Sequence, residues 1–398
     1  MDASDDLLGM EVASTGIAQA MQARLGPASD WLAEWKFDGI RGQIVKRAGQ
    51  VWVWSRGEEL MSDRFPELQA LAQRWPDGTV VDGEILVWND EDTAGALPGS
   101  DRPGRPAPFA LLQQRIGRKT LNAKVLADAP VSFMAYDLLE ADAQDLRALP
   151  QTERRDRLET LADDLNAGAG PRLWLSPRVE GSDWASLAGQ RARARDHGVE
   201  GLMHKHRHTH YGTGRQKRWA GPDGSTAEGV LAWWKWKIDP LNIDGVLIYA
   251  QAGHGRRASV YTDYTFAVWN RAPASAEEAR SVVEAIARRE PAVPGALQLV
   301  AFTKAYSGLT DAEFKAVDAV IRQNTLEKFG PVRSVRPTMV FELAFEGIAR
   351  STRHKSGVAL RFPRMQRIRH DKPLHEAGTL QDLEALLAKT PVKIGQGA

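Results

Sequence analysis

The chain has 398 residues, with 52 Lys+Arg against 51 Asp+Glu, no cysteine, and 43% hydrophobic and 26% charged residues. That length predicts two or three domains with ample core, and the composition excludes wholesale disorder. Without thiols there are no disulfides, thiolate zinc sites, iron–sulfur clusters or cysteine nucleophiles, which suits a reducing compartment.

No apolar run reaches the roughly 18 residues of a membrane-crossing helix. Asp2, Asp5 and Asp6 stand where a secretory leader requires positive charge. The expectation is a soluble, cytoplasmic protein with no membrane partner. In chain order, β-branched and aromatic runs predict strands over 42–45, 51–55 and 79–87, with a helix over 64–73. The Gly-, Pro- and Asp-rich stretch 89–108 reads as a surface loop, followed by a strand over 131–138 and a helix over 153–161. A helix over 184–196 meets a His197-Gly198 stop, and strands are predicted over 201–205 and 233–238 around a loop at 212–229. This mixture lacks strict β-α-β alternation and reads as an α+β domain. Pro240 ends the last strand and places a domain boundary, giving domains 1–239 and 240–398. The second domain carries strand-like segments at 243–251, 260–269, 298–304, 339–346 and 357–362 and a helix over 310–324, the inventory of an OB-fold barrel.

Several charged residues stand where a bland strand would not hold them. Lys36, Asp38, Gly39 and Arg41 form a K-x-D-G-x-R pattern. Glu84 lies in the apolar run Val81-Asp82-Gly83-Glu84-Ile85, and Glu200 precedes Gly201-Leu202-Met203-His204-Lys205. Lys235 and Lys237 share one face of a strand whose other face is Trp234 and Trp236. Unpartnered charges are costly in such a setting, so a ligand or an ion-pair network is implied. Between residues 353 and 372 seven Lys/Arg stand against the single acid Asp371, a candidate phosphate-binding stripe.

In this order the segments resemble the motifs of the covalent nucleotidyltransferases, and specifically the bacterial ATP-dependent DNA ligases. Lys36–Arg41 resembles motif I, Ser55-Arg56 motif Ia, Asp82-Gly83-Glu84 motif III, Tyr136-Asp137 motif IIIa, and Glu200 to Lys205 motif IV. Lys235-Trp236-Lys237 resembles motif V, and Arg361-Phe362-Pro363-Arg364 through Arg367, Arg369, Asp371 and Lys372 resembles motif VI. The resemblance implies an adenylation domain followed by an OB-fold domain, with ATP and Mg²⁺ or Mn²⁺ as cofactors. It makes Lys36 the nucleophile on the α-phosphate, and a lysine amine must be unprotonated to attack. Arg41, Lys235, Lys237 and a bound metal disfavour its charged form and steady the phosphoryl oxygens. It places Glu34 on the adenine amino group, Tyr136 against the base, and Arg41 and Arg56 at ribose and phosphates. Glu84 and Glu200 suit a hard cation. Lys205, Lys235, Lys237 and Arg215 or Arg218 complete the nucleotide contacts, Arg218 being preferred. Arg367, Arg369, Asp371 and Lys372 orient the leaving pyrophosphate after the second domain swings on a hinge at 239–240. The partner implied is nicked double-stranded DNA, held by basic residues in 102–119 and 353–372; the enzyme is expected to be a monomer, with an end-processing nuclease as a possible companion.

Two departures from the family pattern stand out. Only 35 residues precede Lys36, too few for a helical DNA-binding domain, so the expectation is either a compact ligase or a chain from which a piece is missing. His204, His206, His208 and His210 alternate, and on a strand they would share a face opposite Lys205.

Overall fold

A computed structural model describes residues 14–118, 120–212, 233–253 and 260–389. The chain divides into two compact units, Met1–Ile238 and Asp239–Ala398.

The first unit is built on two sheets. The larger has the order Gln50–Ser55, Ile40–Arg47, Thr79–Asn89, Val131–Ala141, Gln144–Asp145, with Arg105–Pro106 added beside Thr79–Asn89 and Trp174–Leu175 beside Val131–Ala141. The smaller places Gly201–His206 between Trp31–Trp35 and Trp233–Lys237, all antiparallel. Strand Thr79–Asn89 divides its side chains between two cores by the period-two rule. Val81, Ile85 and Val87 join Phe65, Leu68, Phe133 and Leu158 on the helical side. Leu86 and Trp88 join Trp31, Trp35, Trp234 and Trp236 on the side of the smaller sheet. Asp82 and Glu84 share the parity of Leu86 and so belong to that inner face.

Strand Val131–Ala141 carries two register shifts against Thr79–Asn89, and one of them leaves Tyr136 as an extra residue between the Asp137 and Ala135 pairings. A bulge re-aims a side chain and is a common device beside a site. Two motif glycines are required by close approach. A Cβ at Gly39 would lie 2.5 Å from the carbonyl oxygen of Ile85, and Gly201 adopts φ +128 against the backbone at Trp236 and Lys237.

In the second unit, strand Leu241–Ala252 organises a seven-stranded antiparallel sheet. Its first half pairs with Val340–Phe345 and its second half with Val332–Val335, while Tyr261–Trp269 runs along it and Leu299–Ala305 lies beyond. Arg364–Ile368 extends the sheet from Val340–Phe345. Helix Asp311–Gln323 starts with a reciprocal cap between Thr310 and Glu313 and buries Val317 and Ile321 against the sheet.

All six strands predicted for the first unit are present. Strand Trp31–Trp35 is an addition; all five of its residues are buried, so it carries no alternation to read. The stretch 89–108 is not wholly loop, because it forms the 3-10 turn Thr93–Gly95 and the paired segment Arg105–Pro106. The helix predicted over 184–196 ends at Ala192 in turns before Gly198, whose φ is +70. In the second unit the hairpin Thr325–Phe329 and Val332–Val335 is likewise additional to the predicted strands. Among the described residues no helix is long and apolar enough to cross a membrane.

Candidate active site

Lys36 lies just beyond strand Trp31–Trp35, tied at its backbone to the neighbouring strand. Its amide donates to the Gly201 carbonyl at 2.9 Å, and its own carbonyl accepts from the Glu200 amide at 2.8 Å. The Lys36 Nζ donates to the Glu200 carboxylate. Across the inner face stands Glu84, whose carboxyl is pushed up to about 8 by burial, opposed by nearby Lys36 and reinforced by Asp82 and Glu200.

Arg41 and Asp82 form the second group. The Arg41 guanidinium reaches Asp82 Oδ2 at 2.5 Å and the Tyr211 hydroxyl at 2.6 Å, and that hydroxyl donates to Asp82 Oδ2 at 2.7 Å. Tyr136 also faces Asp82, its hydroxyl 3.4 Å from Oδ1. Asp82 itself is wholly buried.

Behind these lies a buried polar lattice. Glu34 Oε2 accepts from Lys205 Nζ at 3.0 Å and Oε1 from Arg155 at 3.2 Å. The Lys205 ammonium also meets the Tyr136 carbonyl at 2.9 Å and lies 4.6 and 4.5 Å from the centres of the Tyr136 and Trp233 rings. Asp137 and Arg154 form a two-point ion pair at 2.8 and 2.9 Å with both side chains excluded from solvent.

The structure therefore brings together Lys36, Glu200, Glu84, Arg41 and Tyr136. It holds Glu34 and Lys205 close by, but enclosed and already engaged by protein partners. Trp233, Lys235 and Lys237 share the partly exposed face of their strand; Trp234 and Trp236 fill the core behind it. Arg56 is exposed in the turn after strand Gln50–Ser55. Arg215 and Arg218 lie outside the described residues. In the second unit, Arg367, Arg369 and Lys372 converge on two acids that face each other across adjacent strands, Asp244 and Glu342. Arg367 meets Glu342 at 2.7 Å, Arg369 meets Asp244 at 3.1 Å and Asp371 at 2.9 Å, and Lys372 meets Asp244 at 2.5 Å.

One expectation is corrected, that on the histidine run, and in the basic stretch 102–119 three arginines have acidic partners while Arg118 is exposed. Arg102 is paired with Asp90 and sandwiched by Trp88 and Trp174, Arg105 is paired with Asp92, and buried Arg115 is paired with Glu67. The histidine run does not stay on one strand, since the strand ends at His206 and Thr209 closes a turn onto its carbonyl. His204 instead packs among Trp184, Trp234 and Trp236, and among the described residues no metal-holding cluster of three or more His, Cys, Asp or Glu is present.

Tyr211, Arg154, Arg155, Asp244 and Glu342 are absent from the sequence reading. A signal exists for two of them. Gln151, Arg154 and Arg155 occupy the buried stripe that Leu158 and Ala162 continue, so polar residues stand where helix periodicity calls for apolar ones.

A family model described as "ATP dependent DNA ligase domain" matches residues 12–220, and one described as "ATP dependent DNA ligase C terminal region" matches 286–372. The chain belongs to the ATP-dependent DNA ligase family. A relative from Opitutus terrae named "Probable DNA ligase" is 35% identical over 382 residues, covering 90% of this chain and 33% of that protein. The "DNA ligase" of Haloferax volcanii is 31% identical over 378 residues, covering 92% of this chain and 56% of that one. The chain thus spans between a third and little more than half the length of these ligases. A solved structure titled as a study of Lig E DNA ligases is similar over 86% of this chain and 94% of that one, with 17% identity and a TM-score of 0.51. That likeness concerns the fold, an adenylation domain plus an OB-fold domain.

Proposed function

We propose that this ligase-family chain seals nicks in duplex DNA through a lysyl-AMP intermediate. The observation that carries the reading is the convergence of Arg41 and Glu84 from two strands, and of Lys36 and Glu200 from the loop positions flanking two others, onto one inner face. The Lys36 nitrogen attacks the α-phosphorus of ATP, the bond to the β-phosphate oxygen breaks, and pyrophosphate leaves. The AMP passes to the 5′-phosphate of a nick, and the adjacent 3′-hydroxyl displaces it to form the phosphodiester. Arg41, Lys235 and Lys237 steady the phosphoryl oxygens, and Arg56 contacts ribose or nick phosphate. Glu34 and Tyr136 border the adenine, Lys205 fixes both, and Arg218 adds a phosphate contact. Arg367, Arg369, Asp371 and Lys372 orient the pyrophosphate in the first step.

The acidic pair fits a divalent cation. Glu84, raised to about 8 chiefly by burial, has the carboxylates of Asp82 and Glu200 as neighbours, and carboxylate oxygens are the donors a hard cation takes. Glu84 and Glu200 would hold Mg²⁺ or Mn²⁺ with phosphate and water oxygens, and the ion would supply charge neutralisation at the triphosphate.

The test is incubation with α-labelled ATP and Mg²⁺. Label is expected on the wild-type protein and absent from Lys36→Ala, with the AMP mass located at residue 36. Label persisting in that variant would reject the nucleophile assignment. Sealing of nicked duplex DNA, compared with RNA-containing duplexes, tests the substrate.

A further inference from the structure

The hydroxyl of Tyr211 makes three hydrogen bonds at one point of the inner face. It donates to Asp82 Oδ2 at 2.7 Å and accepts from Arg41 Nη2 at 2.6 Å and from Gln43 Nε2 at 3.1 Å. One donor and two lone pairs are all a hydroxyl has, so its capacity is fully used. Arg41 and Gln43 share a strand face two residues apart, and Asp82 lies directly across from Gln43 on the next strand. Tyr211 comes from elsewhere, after the turn that ends strand Gly201–His206. Its amide is tied to the Arg147 carbonyl at 2.8 Å, the Arg154 guanidinium lies 5.8 Å from its ring centre, and Trp233 meets it edge-on at 6.1 Å. The ring is held on two sides, so the hydroxyl position is set by packing rather than by the polar groups it serves.

The consequence falls on Arg41. Its Nη2 divides between Asp82 Oδ2 at 2.5 Å and Tyr211 at 2.6 Å, while Nε sits at 3.2 Å from both carboxylate oxygens. Without the hydroxyl, a wholly buried carboxylate would lose a donor, and among the described residues the guanidinium would keep Asp82 as its hydrogen-bonded partner and the Trp233 ring, 5.6 Å away, as a looser one. The arginine would turn onto the acid and away from any phosphate. We propose that Tyr211 is a positioning residue that holds the Arg41 guanidinium at a fixed angle to Asp82, leaving its outer edge aimed at substrate phosphate.

This inference rests on the reading of Arg41 as a phosphate contact, so the experiment separates the two. Single-turnover self-adenylation, transfer to a nick, and sealing of a pre-adenylated nick are measured for wild type, Tyr211→Phe, Arg41→Lys and the double variant. Wild-type labelling with ATP tests the ligase reading alone. Tyr211→Phe is expected to slow the same step or steps as Arg41→Lys, by about 10- to 50-fold in maximal rate, with KM changed less than threefold. The double variant is expected to be no slower than Arg41→Lys by more than about twofold, because both changes remove one arrangement. Full activity of Tyr211→Phe, or losses that multiply in the double variant, would overturn the proposal. Thermal unfolding checks that the variants fold. Should Phe at 211 not fold, Gln43→Met removes one donor to the same hydroxyl and is expected to slow the same step by a smaller factor; no effect there would equally overturn it.

Discussion

Lys36 and Glu200, 164 residues apart in the chain, are joined as donor and acceptor at the centre of the inner face. A nitrogen aimed at a carboxylate is not aimed at a phosphorus atom, so the proposed first step would require the pair to part. A divalent cation competing for Glu200 would provide the means. Glu200→Gln is therefore expected to raise the half-saturating Mg²⁺ concentration for self-adenylation at least tenfold and to lower the maximal rate by about 100-fold. An Mg²⁺ dependence unchanged from wild type would remove Glu200 from the cation site.

Glu84 makes the same site sensitive to pH. Its carboxyl, at about 8 in the folded protein against 4.5 in an ordinary setting, is protonated across the neutral range. The folded state thus holds a proton that the unfolded state has lost, so this group's contribution to stability falls as pH rises from about 4.5 to about 8. A cation bound at Glu84, as proposed, would displace that proton. Mg²⁺ affinity in the absence of nucleotide is expected to rise with pH up to about 8, with release of close to one proton per ion measured by calorimetry in buffers of different ionisation heat. In Glu84→Gln both the release and the pH dependence should disappear, and the metal-free variant should be the more stable protein at pH 8.5.

The groups legible from sequence are those whose chemistry demands a rare residue at a fixed spacing along one strand. Lys36 with Arg41, Glu84 in its apolar run, and Lys235 with Lys237 are of this kind. The partners that set their geometry arrive from distant segments. Tyr211 reaches Asp82 across 129 residues and Lys372 reaches Asp244 across 128, separations no local pattern encodes. Net charge misleads for a related reason. Arg102, Arg105 and Arg115 count as free positive charge in the sequence, yet each is paired with an acid that folding brings near. Strand Trp31–Trp35 escapes periodicity because it is buried on both faces, whereas Ile40–Arg47 in the larger sheet alternates buried and partly exposed residues and is readable.

The Asp137–Arg154 pair has no solvent to fall back on. Arg154 also donates to the Leu149 and Thr209 carbonyls and to Gln151, so its removal strands a buried carboxylate and several acceptors. Arg154→Met is expected to destabilise the first unit by about 3–5 kcal/mol. Asp137→Leu combined with Arg154→Met should cost clearly less than the sum of the single changes, since no lone charge remains. Strict additivity in urea unfolding would show that the pair does not act as a unit.

In the second unit, Asp244 and Glu342 repel each other across the ladder and are reconciled by Arg367, Arg369 and Lys372. Each of the three cations is engaged by an acid, so the proposed role at a leaving pyrophosphate requires them to exchange these partners for phosphate oxygens. Lys372→Ala is expected to slow self-adenylation by about 100-fold while sealing of pre-adenylated nicks stays within about threefold of wild type. Equal losses in the two assays would contradict a role confined to the first step.

His204 supplies an acid-sensitive point unrelated to catalysis. Both ring nitrogens are buried without a hydrogen-bond partner, among the rings of Trp184, Trp234 and Trp236. Burial holds the imidazole down to about 3, against 6.5 when free. The folded state therefore keeps a neutral ring while the unfolded state takes up a proton below 6.5, and stability falls as pH drops from 6.5 toward 3. At 1.36 kcal/mol per pH unit, the step from neutral pH to pH 5 should cost wild type about 2 kcal/mol through this one residue. His204→Leu removes that term and fits an apolar cage, so its stability relative to wild type should improve by about that amount between pH 7.5 and pH 5 in urea melts. A stability difference that does not change with pH would mean that the imidazole finds a proton-accepting partner in the folded state.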